Sequence, residues 1–188
     1  MNEMSESRKK VAPIIASVVG ALLVAFLWVL VTAEPNTADD ADSPLLGQPA
    51  PSVVSTTLDD EEFVLANRKG SWVIFNFFNS TCVPCIAEHP ELVAFSEREL
   101  QATNPAEIYT VINDDNDASV RAFFSKNGGD WQKVRDTDGA ISVAFGVAKV
   151  PETWVIDPNG YVRLRIAGML TPGLLDDQLA QLKTQFGS

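Results

Sequence analysis

The 188-residue sequence is poor in the residues that staple or metallate small domains, with two cysteines and one histidine. A disulfide scaffold needs more cysteines in fewer residues, and a structural zinc module needs four Cys or His ligands close together, so both classes are excluded. Positive charge is also scarce. Against 25 Asp and Glu stand 14 Lys and Arg, a formal charge of −11, and such a surface repels a nucleic-acid backbone. Nucleic acid is therefore not an expected partner. What is plentiful is apolar residues, 46% of the chain, enough for a packed core and too many for a disordered polymer.

Charge is missing altogether from Val11 to Ala33. As a helix rising 1.5 Å per residue this run reaches about 34 Å, enough for a hydrocarbon layer of about 30 Å. Arg8, Lys9 and Lys10 precede it, while Glu34, Asp39, Asp40 and Asp42 follow. The positive-inside bias then predicts a cytoplasmic stub at 1–10, a transmembrane signal anchor at 11–33 and an extracytoplasmic remainder, single-pass in a cell membrane. A signal peptide cleaved after Val31-Thr32-Ala33 is the alternative, although its apolar core usually runs only about 7–15 residues. A buried core helix is disfavoured because no polar face interrupts the run. Residues 34–46, rich in Pro, Asp and Ala, read as a flexible tether to a domain at 47–188. Beyond Ala33, 11 basic residues face 23 acidic ones, a balance of −12 that offers anionic lipid no second foothold.

Within the exported part, Val53 to Thr56 and Phe63 to Leu65 read as short strands around the acidic turn Asp59-Asp60-Glu61-Glu62, an N-terminal hairpin. Trp72 to Phe78 is apolar at every position but Asn76, the pattern of a central strand covered on both faces. A helix over about 84–100, a strand at 108–112 and a helix over about 118–126 follow, in the order expected of parallel pairing with right-handed crossovers. Strands at 153–156 and 161–166, joined by Asp157-Pro158-Asn159-Gly160, form an antiparallel hairpin. Leu175, Leu179, Leu182 and Phe186 recur at helical spacing and predict a C-terminal helix. The fold class is α/β, a mixed central sheet with helices on both faces.

Both cysteines lie in Thr81-Cys82-Val83-Pro84-Cys85, between the central strand and the helix. The carboxyl ends of strands are where α/β sites form, and a helix start offers free N–H groups and a positive dipole end that stabilise a thiolate. Pro84 suits a first helical turn, where its missing N–H costs nothing. Cys82 is the expected nucleophile, since a thiol pulled down towards about 7 is substantially ionised, and Cys85 the resolving thiol. A structural disulfide closing so short a loop would be a poor staple. A metal pair would need further ligands, and His89 is the sole histidine. Asn76, if buried, needs a hydrogen-bond partner, and His89 is expected as a solvated helix residue.

The strand, CVPC and helix unit, Pro90 after it and Val150-Pro151-Glu152-Thr153 ahead of a strand resemble the thioredoxin fold. More narrowly, Gly146 to Pro172, Ala87-Glu88-His89 and Asn113-Asp114-Asp115 are similar to the CcmG/DsbE family, membrane-anchored reductases of cytochrome c maturation, with ResA and TlpA as relatives. Thr81 departs from the family's tryptophan before the motif, and Lys149 from its glycine ahead of the P-E-T segment.

The resemblance implies a protein-disulfide reductase with no cofactor beyond the Cys82–Cys85 couple. It implies apocytochrome c or a maturation partner as client, and a membrane thiol carrier of the CcdA or DsbD kind as electron donor. It implies a cis peptide before Pro151 facing the sulfurs, a Val150 backbone that pairs with substrate, and Val83 and Pro84 as substrate contacts. Glu152 is expected near the cysteines as a tuner of the thiols, with a solvated acid as the alternative. Rival functions are a disulfide-forming oxidase on the same two cysteines and a copper- or haem-handling module. A peroxidase site expects Thr where this chain has Asn79.

Overall fold

The computed structural model describes residues 16–28, 39, 40 and 42–187. The chain divides into two compact units, Met1–Pro35 and Asn36–Ser188. In the first, residues 16–28 form a helix, α1, with every side chain exposed. No helix among the described residues is long and apolar enough to cross a membrane. The stub expected at 1–10 and the two ends of the anchor expected at 11–33 lie outside the described residues.

The second unit runs β1 (Asp39–Asp40), β2 (Val54–Thr56), β3 (Glu62–Val64), a 3-10 turn (Leu65–Arg68), β4 (Val73–Phe78), α2 (Val83–Glu99), β5 (Glu107–Ile112) and α3 (Asp117–Asn127). It continues through β6 (Lys133–Arg135), α4 (Ala140–Phe145), β7 (Glu152–Ile156), β8 (Val162–Ala167) and α5 (Leu174–Phe186). Six strands form one sheet in the order β1-β8-β7-β4-β5-β6. β4, β5 and β6 are parallel, while β7 runs antiparallel to both β4 and β8. This is a thioredoxin-like α/β fold.

All six residues of β4 are buried because the sheet is covered on both sides. Ile74, Ile108, Val155, Leu164 and Ile166 meet Leu92 and Phe95 of α2 and Leu175, Leu179 and Leu182 of α5. Each leucine so buried stabilises by about 1.5–3 kcal/mol. Val120 and Phe124 bring α3 to the same side, against Phe78 and Ile112. Two right-handed crossovers stepping the same way along a sheet must place their helices together, which is why α2 and α3 share a face. The opposite face carries Phe75, Phe77, Tyr109 and Trp154 and is closed by Val53, Phe63 and Leu65 from the N-terminal hairpin and by Ile141 and Phe145 of α4.

Three features were not expected from the sequence. β6 and α4 are short and carry little periodicity of their own. β6 exists because it pairs with β5, and α4 because Asp136 accepts from the N–H groups of Ile141 and Ser142, each at 2.8 Å, capping its start. The segment read as a tether contributes β1, which pairs with Ile166 and Ala167 of β8, and half-buried Leu45 and Leu46, which pack on the core. The domain's packed part thus begins ahead of residue 47. The hairpin turn also has a task, since Arg135 of β6 bonds Asp60 at 2.9 Å and the Leu58 carbonyl at 3.2 Å, covering an edge strand.

Candidate active site

β4 ends at Phe78, and the loop that follows is pinned from both sides. Asn79 donates to the carbonyls of Asn113 and Asp114 and accepts from Thr81 N–H at 2.8 Å. Ser80 N–H donates to Asp115 at 2.6 Å, so the turn after β5 braces the turn after β4. The cysteine motif therefore leaves a fixed platform. Cys82 is the N-cap of α2, in extended conformation, and its sulfur accepts from Cys85 N–H at 3.2 Å. A helix N-cap normally takes Ser, Thr, Asp or Asn, and a thiolate fills the same role while drawing on the positive end of the dipole.

Cys82 and Cys85 form a disulfide, with 5.2 Å between their Cα atoms. The two sulfurs are not equivalent: Cys85 is fully buried, whereas Cys82 is half-exposed beside the exposed Val83 and Pro84. Facing them is the loop before β7. The Val150–Pro151 bond is cis, and the Val150 carbonyl oxygen lies 3.6 Å from Cys82 Sγ. No proton sits on a disulfide sulfur, so this contact becomes a hydrogen bond only when Cys82 is a thiol.

Glu152 requires a correction. Its side chain is not solvated and does not turn to the face that α2 covers, but is 1% exposed and held in two parallel bonds by Arg165 of β8, Oε2 at 3.0 Å and Oε1 at 2.9 Å. Strand alternation explains this. Glu152 pairs with Phe77 and lies on the same side of β7 as Trp154, the face away from α2.

The acid on the cysteine side is Glu88, one helical turn beyond Cys85 and 1% exposed. Its Oε1 accepts from Asn76 Nδ2 at 2.8 Å and its Oε2 from Leu170 N–H at 2.7 Å. Burial pushes its carboxyl up to about 7, and the two donors, which favour the charged form, only partly oppose that. Residues three apart on a helix have Cβ atoms about 5–6 Å apart, so Glu88 and Cys85 share the buried face. The signal for Glu88 was in the sequence: Cys85, Glu88, Leu92 and Phe95 fall on one stripe of α2, and a carboxyl on that stripe must be buried. Asn76 meets its expected need for partners, donating to Glu88 and, at 3.2 Å, to Thr153 Oγ1.

His89 is also corrected. It is 2% exposed, its ring lies among Phe123, Phe124 and Trp131, and Nε2 is 3.0 Å from the Gly128 carbonyl. Burial lowers its pKa first of all, so it is neutral at pH 7 and donates through Nε2–H. Gly129, at φ +93°, makes room for it and for Trp131, because a Cβ there would stand 3.1 Å from His89 Cε1 and 2.8 Å from the Trp131 ring. Among the described residues no cluster of three or more His, Cys, Asp or Glu side chains is placed to hold a metal ion.

Residues 46–165 match the AhpC/TSA family. The DsbE homolog of Paracoccus denitrificans, a thiol:disulfide interchange protein, is 33% identical over 146 residues, 76% of this chain and 76% of its own. The thiol:disulfide interchange protein DsbE of Pseudomonas aeruginosa is 28% identical over 171 residues, 89% of this chain and 88% of its own. Among solved structures, a thioredoxin-family thiol:disulfide interchange protein from Chlorobium tepidum superposes with a TM-score of 0.64 at 24% identity, covering 75% of this chain and 98% of that one, a likeness of fold. The chain therefore belongs to the thioredoxin-like AhpC/TSA family, alongside the interchange proteins named DsbE, and is a thiol:disulfide oxidoreductase.

Proposed function

We propose that this oxidoreductase works as a reductase on the extracytoplasmic face of a membrane, held there by the uncharged run at 11–33, with apocytochrome c or a maturation partner as client. The observation that carries the thiol chemistry is the asymmetry of the two sulfurs: an accessible Cys82 at a helix N-cap over a buried Cys85. In the dithiol form, Cys82 thiolate attacks a client disulfide, forming one S–S bond as the client's own bond breaks and its second sulfur leaves as thiolate. Cys85 then loses its proton to Glu88 and attacks Cys82 Sγ, which releases the other client sulfur and leaves the Cys82–Cys85 disulfide. Two electrons have passed to the client. A dithiol donor restores them, and a membrane carrier of the CcdA or DsbD kind fits that place.

Val150, with its carbonyl beside Cys82, can pair with an extended client segment as a short added strand, and Val83 and Pro84 border the sulfur for contact. Glu88 is suited to accept the Cys85 proton because an acid held near 7 is partly ionised at working pH. The basic residues at 8–10 and acidic residues after 33 support a cytoplasmic N-terminus. Two measurements test the reading. Cys85→Ala should trap a mixed disulfide with a cytochrome precursor, and the potential of the couple should lie nearer about −270 mV than about −120 mV. A strongly oxidising potential and capture of many unrelated exported proteins would instead establish a disulfide-forming oxidase.

A further inference from the structure

Buried carboxyls that must change protonation state face a problem that exposed ones do not, since the partner suited to one form is wrong for the other. An ionised carboxylate only accepts, whereas the neutral acid carries an O–H that must donate. In a dry site either mismatch leaves a polar group unpaired. Glu88 sits in such a site, with Leu170 N–H fixed as a donor to Oε2. Its other oxygen faces Asn76, and Asn76 is not fixed in the same sense.

As found, both hydrogens of Asn76 Nδ2 are used, one by Glu88 Oε1 at 2.8 Å and one by Thr153 Oγ1 at 3.2 Å. Its Oδ1 is buried with no partner among the described residues. Rotation of the amide by half a turn exchanges the two atoms. Oδ1 then stands where Nδ2 stood, between a carboxyl oxygen that can carry a proton and a threonine hydroxyl that can turn its own hydrogen inward. The trio keeps two hydrogen bonds in either orientation; the spare atom is Oδ1 as found and becomes Nδ2, with its two N–H donors, after rotation.

We infer that Asn76, steadied by Thr153, is a positioning residue that serves Glu88 in both protonation states by amide rotation, and so lets it take and release the Cys85 proton without losing a buried hydrogen bond. The inference rests on Glu88 as the proton acceptor of the thiol exchange. The S–H bond of Cys85 breaks as an O–H bond forms on Glu88, Oδ1 turns to accept that hydrogen, and loss of the proton to solvent lets Nδ2 turn back.

The other groups around Glu88 do not offer this service. On α2, Cys85 is the reacting thiol and His89 is bonded to the Gly128 carbonyl. β4 brings Asn76 as its one polar side chain. On β7 and β8 the charged groups, Glu152, Arg163 and Arg165, lie on the opposite face from Thr153, Leu164 and Ile166. The loop after β8 presents the main chain of Leu170, and Asp176 at the start of α5 is paired with Arg98. With the carboxyl raised to about 7, both forms of Glu88 are populated at neutral pH.

The test uses the oxidised full-length protein. The Glu88 carboxyl carbon and the Asn76 side-chain amide are followed by NMR as pH is varied. We expect the amide resonances to shift with the same midpoint as the carboxyl, and amide resonances that ignore that midpoint overturn the inference even if no variant folds. Asn76→Ala removes the donor to the carboxylate and should raise the Glu88 midpoint by about one pH unit or more, since a hydrogen bond to a charged group is strong enough to do so. Asn76→Asp keeps the shape, brings no donor when ionised and should raise it further; a midpoint that stays put in both variants overturns the assignment. Reduced Glu88→Gln is the separate control. A Cys85 titration that it leaves unchanged overturns the proton-acceptor reading itself, whereas a normal response there with an unmoved Glu88 midpoint in the Asn76 variants overturns only the role of Asn76.

Discussion

Two glutamates are buried at the cysteine end of the sheet, each 1% exposed, and they sit on opposite faces of it. Glu152 points away from α2 and is gripped by Arg165, so its charge is matched by a guanidinium in bidentate geometry. Glu88 lies under α2 and meets neutral donors only, an amide and a main-chain N–H. Equal burial therefore yields different chemistry. A carboxylate with its own cation is a structural tie, while one with dipoles alone is left poised to exchange a proton. Family resemblance directs attention to the acid after Pro151, but the environment of the acid after Cys85 is the one suited to a thiol proton.

The contrast predicts unequal responses. The largest belongs to the pair: Arg165→Met strands the Glu152 charge in the sheet and should cost about 3–5 kcal/mol in urea unfolding at pH 7, much of it regained when Glu152→Gln is added. A small loss in the single variant would show that the Glu152–Arg165 pair is not the structural tie described.

Glu88 should behave in the reverse sense. A carboxyl whose midpoint is about 7 folded and 4.5 as a free group holds its proton more tightly in the folded chain, so its share of stability is present below about 4.5 and is lost as pH rises towards 7. Glu88→Gln removes that dependence. Relative to the parent, the variant should gain up to about 3 kcal/mol between pH 4.5 and pH 8, read from paired denaturation curves. Parallel curves would break the comparison.

The third difference is at the sulfur. In the reduced protein a nearby carboxylate disfavours a second negative charge, so Glu88→Gln should lower the Cys85 titration midpoint by about one pH unit, and Glu152→Gln should leave it unmoved. Thiol absorbance against pH separates the two. The smallest effect calibrates the rest: Asp176→Asn breaks a solvent-exposed tie to Arg98 and should change stability by less than about 1 kcal/mol.

How much of this was legible in the sequence depends on whether the cause is local. The Cys82–Cys85 unit is legible because strand, turn and helix start follow one another from Trp72 to Cys85, marked by an apolar run broken only at Asn76 and by Pro84 in the first helical turn. The cis bond before Pro151 could be expected only by resemblance. Glu152 was misplaced because closeness along the chain to Pro151 does not say which face a strand residue takes. Two other elements are not legible for different reasons: β6 is a strand by virtue of its pairing with β5, a tertiary cause, whereas α4, though capped locally by Asp136, is six residues long and carries little periodicity of its own. His89 looked solvated until α3 and the Gly128-Gly129 turn closed over it.

By itself the sequence determined the order of the main elements, the acidic balance of the chain, and two cysteines at the junction of a buried strand and a helix. Those features follow from residue type and short-range periodicity, which the chain carries wherever it folds. Only the tertiary structure decided which sulfur reaches solvent, which acid meets a cation and which meets an amide, and that Asn76, Glu88, Thr153 and Leu170 converge from four separate segments. The desolvation and hydrogen bonding that distinguish Glu88 from Glu152 are set by neighbours as many as 82 residues away, at Leu170.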